Sequence, residues 1–376
     1  MNGFELALLI PVAVVLARVV VPLFIPLYPL PAILAALVID GLDQTIFTAT
    51  LQRDLPGYQS YDKALDIYYL TVTYLSTMRN WDRGPAFGVG RFLWYYRLVG
   101  VALFEYTGLR WLLFVFANTF EYFVIALEGW KVWRNPFRLS TRTIVTVAAA
   151  IWIFIKLPQE WWIHIAQLDF TDFAKEVVFG VPTTASWGEA ITNRPLVTLA
   201  LLAALALIVV LLRYLVRRLQ PPDWPPTISA DEQADHMGWP RPDPVVVPAA
   251  FFGWAFVEKA VLVSLVTLIF ASMLPGERQV VPIALGVTAI IAASTVVSQW
   301  MARRGVTWSS VAAEFVMMSA VNLAIGVVLG MVFGSGPPES LAVFVLLVAL
   351  LSLIVVLYDR FAAVGAQRVE AAAARG

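Results

Sequence analysis

The chain contains no cysteine, which excludes disulfides, thiolate metal sites and cysteine nucleophiles together. Histidine is nearly as scarce: His164 and His236 stand alone and far apart, without a second histidine for a zinc site, so surface roles are expected of both. Charge is sparse, at 14% of 376 residues, where ordinary soluble domains carry roughly a quarter. The 26 basic and 26 acidic residues cancel, which leaves neither a nucleic-acid surface nor a polybasic lipid-binding tail. No serine- or lysine-centred motif suggests a nucleophile, and the glycines around Gly90 lack the strand-to-helix context of a phosphate loop. The start, Met-Asn-Gly-Phe-Glu, has no basic n-region and no small-residue cleavage site follows, so the first apolar segment is expected to be retained.

What is present is apolar surface, 60% of the chain, gathered into continuous runs of about 17–25 residues, long enough to cross a hydrocarbon core as helices. Continuous runs disfavour a barrel, whose strands alternate in polarity. The expected fold class is therefore all-α, a polytopic membrane helix bundle of about 11 transmembrane helices, near 4–25, 29–51, 62–79, 86–106, 109–130, 141–158, 195–217, 248–273, 280–300, 310–334 and 341–359. Arginine far outnumbers lysine, and Ala and Val abound; this bias points to a GC-rich bacterium and to a multi-pass protein of its cell membrane.

Two polar segments, 158–194 and 219–247, break the pattern. Trp161-Trp162 and Trp187 mark the first as interfacial. The prolines of the second, Pro221-Pro222, Pro225-Pro226, Pro240, Pro242 and Pro244, predict an extended linker. The expected organisation is an N-terminal bundle over 1–165, an interfacial segment over 166–194, a connecting transmembrane helix over 195–218, a Pro-rich linker over 219–247 and a C-terminal bundle over 248–376. With eleven spans, the side carrying loop 51–65 holds fewer Lys and Arg than the other, so the positive-inside rule places that loop outside.

Ionisable residues within spans are costly and mark function by default. They concentrate in AALVIDGLDQTIFTATLQRDLPGYQSYDKALDIYYL, residues 35–70. Asp40 and Asp43 are an i,i+3 pair and Asp62 and Asp66 an i,i+4 pair, so each pair shares a helix face. Four carboxylates on two hairpin-connected helices repel strongly at low dielectric, and something positive must lie between them. Mg²⁺ or Mn²⁺ answers that need and can bridge phosphate oxygens. The simpler alternative is that these are solvated helix ends, with Asp62 capping a first turn. Arg91 and Arg97 on the fourth span could fork onto phosphate, and Asn118 and Glu121 share a face of the fifth; alternatively Arg97 only neutralises Glu105 or Glu121.

These residues resemble the signature of the CDP-alcohol phosphotransferases of phospholipid synthesis. Asp40-Gly41-Leu42-Asp43 matches its first half, and Gly57, Asp62 and Asp66 match its second with one extra residue before Asp62. The resemblance covers about 30 residues closely and, by helix count, extends over the first 160. It implies that Asp40, Asp43 and Asp62 hold a metal ion, with Asp66 at its margin as the base that deprotonates the acceptor alcohol. It also implies membrane lipid and a nucleotide-linked or lipid-phosphate donor as partners. The chain departs from the signature at Gln44, where the family has glycine, and at Phe47 and Thr48, where it has Ala-Arg. A polyprenyl-type phosphate donor would fit both these departures and an outward loop.

The C-terminal segment is poorer in charge, with Glu258, Lys259, Glu314, Asn322 and Asp359 as its main polar members. Its Gly326 to Gly330 spacing suits close helix contact and a homo-oligomer. Two further readings stay open: a transporter or channel lined by the same acids and arginines, and a non-catalytic scaffold. Convergence of the four aspartates would favour the enzyme, and a string of acids along a path would favour transport.

Overall fold

The computed structural model describes residues 3–51, 58–168, 170–218, 221–239, 253–273, 280–303, 311–332 and 341–373, which form helices and the turns between them, with no strand among them. The N-terminal part comprises α1 (Gly3–Val20), α2 (Pro29–Leu51), α3 (Tyr58–Asn80), α4 (Pro85–Thr107), α5 (Trp111–Val115) and α6 (Thr119–Lys131). Next, α7 (Thr141–Ile151) continues through a π-helical turn, Trp152–Lys156, into α8 (Leu157–Glu160) and a second π-helical turn, Trp161–Ile165. After the short α9 (Phe170–Phe173) come α10 (Trp187–Asn193), α11 (Pro195–Arg218), α12 (Ala230–His236), α13 (Trp254–Ser272), α14 (Val280–Arg303), α15 (Val311–Val332) and α16 (Leu341–Ala373).

The segments expected to span are largely helical where they are described, the fifth being interrupted at Phe116–Asn118, but eleven spans is an overcount. Among the described residues five helices are long and apolar enough to cross a membrane: Trp111–Lys131, Thr141–Ile165, Trp254–Ser272, Ala312–Leu329 and Leu341–Gln367. A sixth arises if Trp187–Asn193 and Pro195–Leu211, bent by 96°, act as one span. The architecture is compatible with a helical membrane protein.

The clearest exception, α3, shows why length and helicity are not enough. From Leu70 to Trp81 every residue is buried, and Thr71, Thr73, Ser76 and Thr77 are among them. Protein surrounds this stretch on all sides, so it needs no apolar face for lipid. The hydroxyls are satisfied within the helix: Thr71 donates to the Ile67 carbonyl at 2.5 Å, Thr73 to Tyr69 at 2.9 Å, and Ser76 and Thr77 to Thr73 and Tyr74 at 2.7 Å. α16 packs along α3, α4 lies against α6, α7 and α13, and α1 lies on α2. Tyr74 is the centre of the core, stacked on Trp94 at 5.9 Å and edge-on to Phe120 at 6.3 Å.

The helix of the fifth predicted span is broken at Phe116–Asn118, and the freed carbonyls find side-chain partners: Tyr96 donates to Val115 at 2.7 Å and Arg97 to Phe116 at 3.1 Å. Phe116 fills the space above Gly100, where an added Cβ would lie 2.1 Å from the Phe116 Cβ. Glycine on α4 therefore accommodates the break in the neighbouring helix.

The polar members of the C-terminal segment pair across helices. Lys259 on α13 donates to Asp359 on α16 at 2.8 Å, and Arg360 binds Glu314 on α15 at 2.9 Å. Asn322 donates to Ser352 at 3.0 Å. Glu258 accepts from Tyr74, which ties α13 to α3. Gly326 does permit close contact, since a Cβ there would meet the Phe344 ring of α16 at 2.6 Å.

The described part of the Pro-rich linker is not a free extended strand. It contains α12 and docks on the end of the bundle where α3 and α6 finish. Thr227 donates its N–H to the Val132 carbonyl and Ala230 to Leu27, both at 2.9 Å. Arg79 binds Asp231 at 2.6 Å, and buried Trp224 donates to Lys131 at 3.3 Å while stacking on His236. At this end Asp82 accepts from the Gly84 N–H at 3.2 Å. Burial pushes the Asp82 carboxyl above its ordinary range, against the pull of that N–H and of Lys131.

Candidate functional site

The four aspartates of the sequence pattern meet at the opposite end of the α2–α3 hairpin. Asp66 lies 14 residues before Asn80, so about 21 Å of helix separates the two ends. Asp40 and Asp43 come from α2, Asp62 and Asp66 from α3, and their spacing turns all four toward α1.

The positive charge among them is Arg18 of α1. Its Nη1 donates to Asp43 and Asp62, and its Nη2 to Asp40 and to Asp66, the last at 2.6 Å. Each of the two terminal guanidinium nitrogens thus takes one acid from each helix, a forked arrangement available to arginine and not to lysine. The Arg18 and Asp43 side chains are 5% and 2% exposed, whereas Asp40, Asp62 and Asp66 are 41%, 30% and 46% exposed. One face of the cluster is sealed by protein, and the other is open.

Arg18 was not among the residues singled out from the sequence. The available signal was its isolation: it is the one Lys or Arg in the first 52 residues, placed within an apolar run. A charge so placed requires a partner of opposite sign.

Among the described residues, and with all groups ionised, the four carboxylates outnumber the one guanidinium and give the cluster a formal excess of negative charge. One oxygen from each of Asp40, Asp62 and Asp66 lies within 4.8 Å of the others. An all-oxygen, carboxylate set with surplus negative charge is the chemistry that Mg²⁺ or Mn²⁺ takes, and the residues fit such an ion. The expected solvated helix ends do not describe Asp43, which is enclosed.

The remaining predicted site residues do not all join the cluster. Gly57 lies outside the described residues. Arg91 sits with its guanidinium 5.6 Å from the Phe87 ring centroid. Arg97 caps the freed carbonyl of the α5–α6 break, while Glu105 pairs with Lys63 at 3.0 Å. Asn118 and Glu121 do face each other, at 3.0 Å.

Glu121 instead begins a second polar feature that the sequence reading missed. The Tyr69 hydroxyl, one turn beyond Asp66 on α3, donates to buried Glu121 at 2.9 Å. Asn118 donates its side-chain amide to Glu121 and its backbone N–H to Glu160, the latter at 3.3 Å. Glu160 binds His164 at 3.0 Å and lies 3.8 Å from Lys156. His164 is therefore not a mere surface residue; it ends a polar row that starts beside the aspartates. Lys156, Glu160 and His164 recur at i,i+4 spacing on the helix whose π-helical turns bracket Glu160.

No protein-family model matches this chain, and searches of curated proteins and of solved structures find no match to it.

Proposed function

We propose that the protein is an integral membrane enzyme of bacterial origin, a divalent-metal-dependent phosphotransferase acting on a lipid or lipid-linked alcohol. The observation that carries this reading is the convergence of Asp40, Asp62 and Asp66 within 4.8 Å on the open side of the bundle, from two helices whose sequence resembles the CDP-alcohol phosphotransferase signature. Asp40, Asp62 and Asp66 would hold Mg²⁺ or Mn²⁺, with Asp43, the fourth acid of the resembled signature, enclosed behind them on Arg18. When bound, the ion supplies charge neutralisation on phosphoryl oxygens. Asp66, the most exposed of the four, takes the proton of the acceptor hydroxyl. The departures at Gln44, Phe47 and Thr48 favour a donor other than a cytidine nucleotide, such as a lipid-linked phosphate.

The test is transfer by the purified protein in lipid bilayers, with labelled CDP-linked and polyprenyl-phosphate-linked donors offered separately. Transfer that requires Mg²⁺ or Mn²⁺ and is lost in Asp40→Asn and Asp66→Asn supports the reading. CDP-dependent transfer would overturn the donor preference, and metal-independent turnover would overturn the enzyme assignment.

A transporter is the second reading. It is favoured by the broken α5–α6 helix and by the hydrogen-bonded row from Tyr69 through Glu121, Asn118 and Glu160 to His164. Proton or cation flux in sealed vesicles that is lost in Glu121→Gln, without any transferase activity, would establish it instead.

A further inference from the structure

Arg18 does with hydrogen bonds what a divalent cation does with coordination: it ties α2 to α3 through their acids. Among the described residues its single charge meets four carboxylates, and three of its four partners are partly open to solvent. The side chain reaches the acids from the last turn of α1, a helix that is separate from both and carries Pro11 in its interior. Its long flexible stem can move without disturbing α2 or α3.

Resting on the metal-site reading above, we propose that Arg18 is a built-in competitor for the divalent cation. The guanidinium holds the four acids together in the absence of the ion and leaves Asp40, Asp62 and Asp66 when the ion binds. Arg18 thereby sets the affinity of the site. Asp43, enclosed and bound on the guanidinium's buried side, is the acid best placed to retain it.

Competition has a consequence opposite in sign to that of a supporting residue. Removing a supporting arginine weakens ion binding, because the acids lose their arrangement. Removing a competitor strengthens it, because the ion no longer displaces a charge and enters a more negative site.

The experiment is titration of the detergent-purified full chain with Mn²⁺ alone, free Mn²⁺ being read by its electron paramagnetic resonance signal. The variants are Arg18→Met, Arg18→Lys, Asp40→Asn and the double variant Arg18→Met with Asp40→Asn. Arg18→Met is expected to bind Mn²⁺ at least about tenfold tighter than wild type. Arg18→Lys should fall between them, since one ammonium cannot fork onto four acids. The double variant should lose the gain, which assigns the ion to this cluster. Should Arg18→Met not fold, Arg18→Lys against wild type carries the same comparison. Binding equal to or weaker than wild type in the Arg18 variants, with Asp40→Asn weakened, would overturn the competitor role and leave the metal site standing. Absence of Mn²⁺ binding in every form would overturn both.

Discussion

Nη2 of Arg18 stands 2.6 Å from Oδ1 of Asp66, a residue 48 positions later in the chain, and this contact pins the first helix to the third. The neighbouring Arg18–Asp43 pair is buried on both sides, and breaking a buried ion pair by removing one partner typically costs about 3–5 kcal/mol, because the other is left uncompensated. With a chelator present, Arg18→Met is expected to lose stability on this scale. Thermal unfolding in detergent, followed by circular dichroism, checks it.

The break between α5 and α6 makes a sharper packing prediction. Gly100→Ala places a methyl group 2.1 Å from the Phe116 Cβ, so backbone must shift, at an expected cost of about 1–3 kcal/mol or more. Gly88, on the same helix, has nothing within 4 Å of a built Cβ. Gly88→Ala should be neutral or stabilising by up to about 1 kcal/mol. Paired unfolding curves decide whether Gly100 is needed for space rather than for flexibility.

Docking of the Pro-rich segment rests on Trp224, which is buried, hydrogen-bonded to Lys131 and stacked on His236 at 5.7 Å. Trp224→Ala is expected to release residues 221–239. Limited proteolysis should then cleave there several-fold faster, while the rest of the bundle keeps its resistance.

The carboxyl of Asp82 titrates above the ordinary aspartate range because of burial. An acid raised by folding imposes no cost below its unfolded value of about 4, and its full cost appears once pH exceeds its folded value. Asp82→Asn should therefore match or exceed the wild-type unfolding temperature at pH 7.5, and the difference should shrink as pH falls below about 4. A deficit at pH 7.5 that persists in acid would show that the Gly84 contact matters more than burial.

Helix positions were legible in the sequence because long apolar runs admit few alternatives. What those helices face was not. The expected span over 62–79 runs through Thr71, Thr73, Ser76 and Thr77, whereas in the fold they are interior residues of a helix enclosed by protein. The aspartates were legible because i,i+3 and i,i+4 spacing fixes a shared face whatever the tertiary fold. Their counter-charge was not, since Arg18 approaches from another helix and no local spacing links it to Asp40 or Asp66. The row from Tyr69 to His164 was hidden for the same reason: it crosses several helices, and within one of them its Lys156, Glu160 and His164 spacing is visible only once the helix is known to extend past Pro158.

The most direct measurement for the central claim is a structure determined in the presence of Mn²⁺, with the ion located by its anomalous scattering. The account predicts a peak among Asp40, Asp62 and Asp66, with the Arg18 guanidinium withdrawn from those three acids. Arg18 still bridging all four aspartates, with no manganese at the cluster, would contradict it.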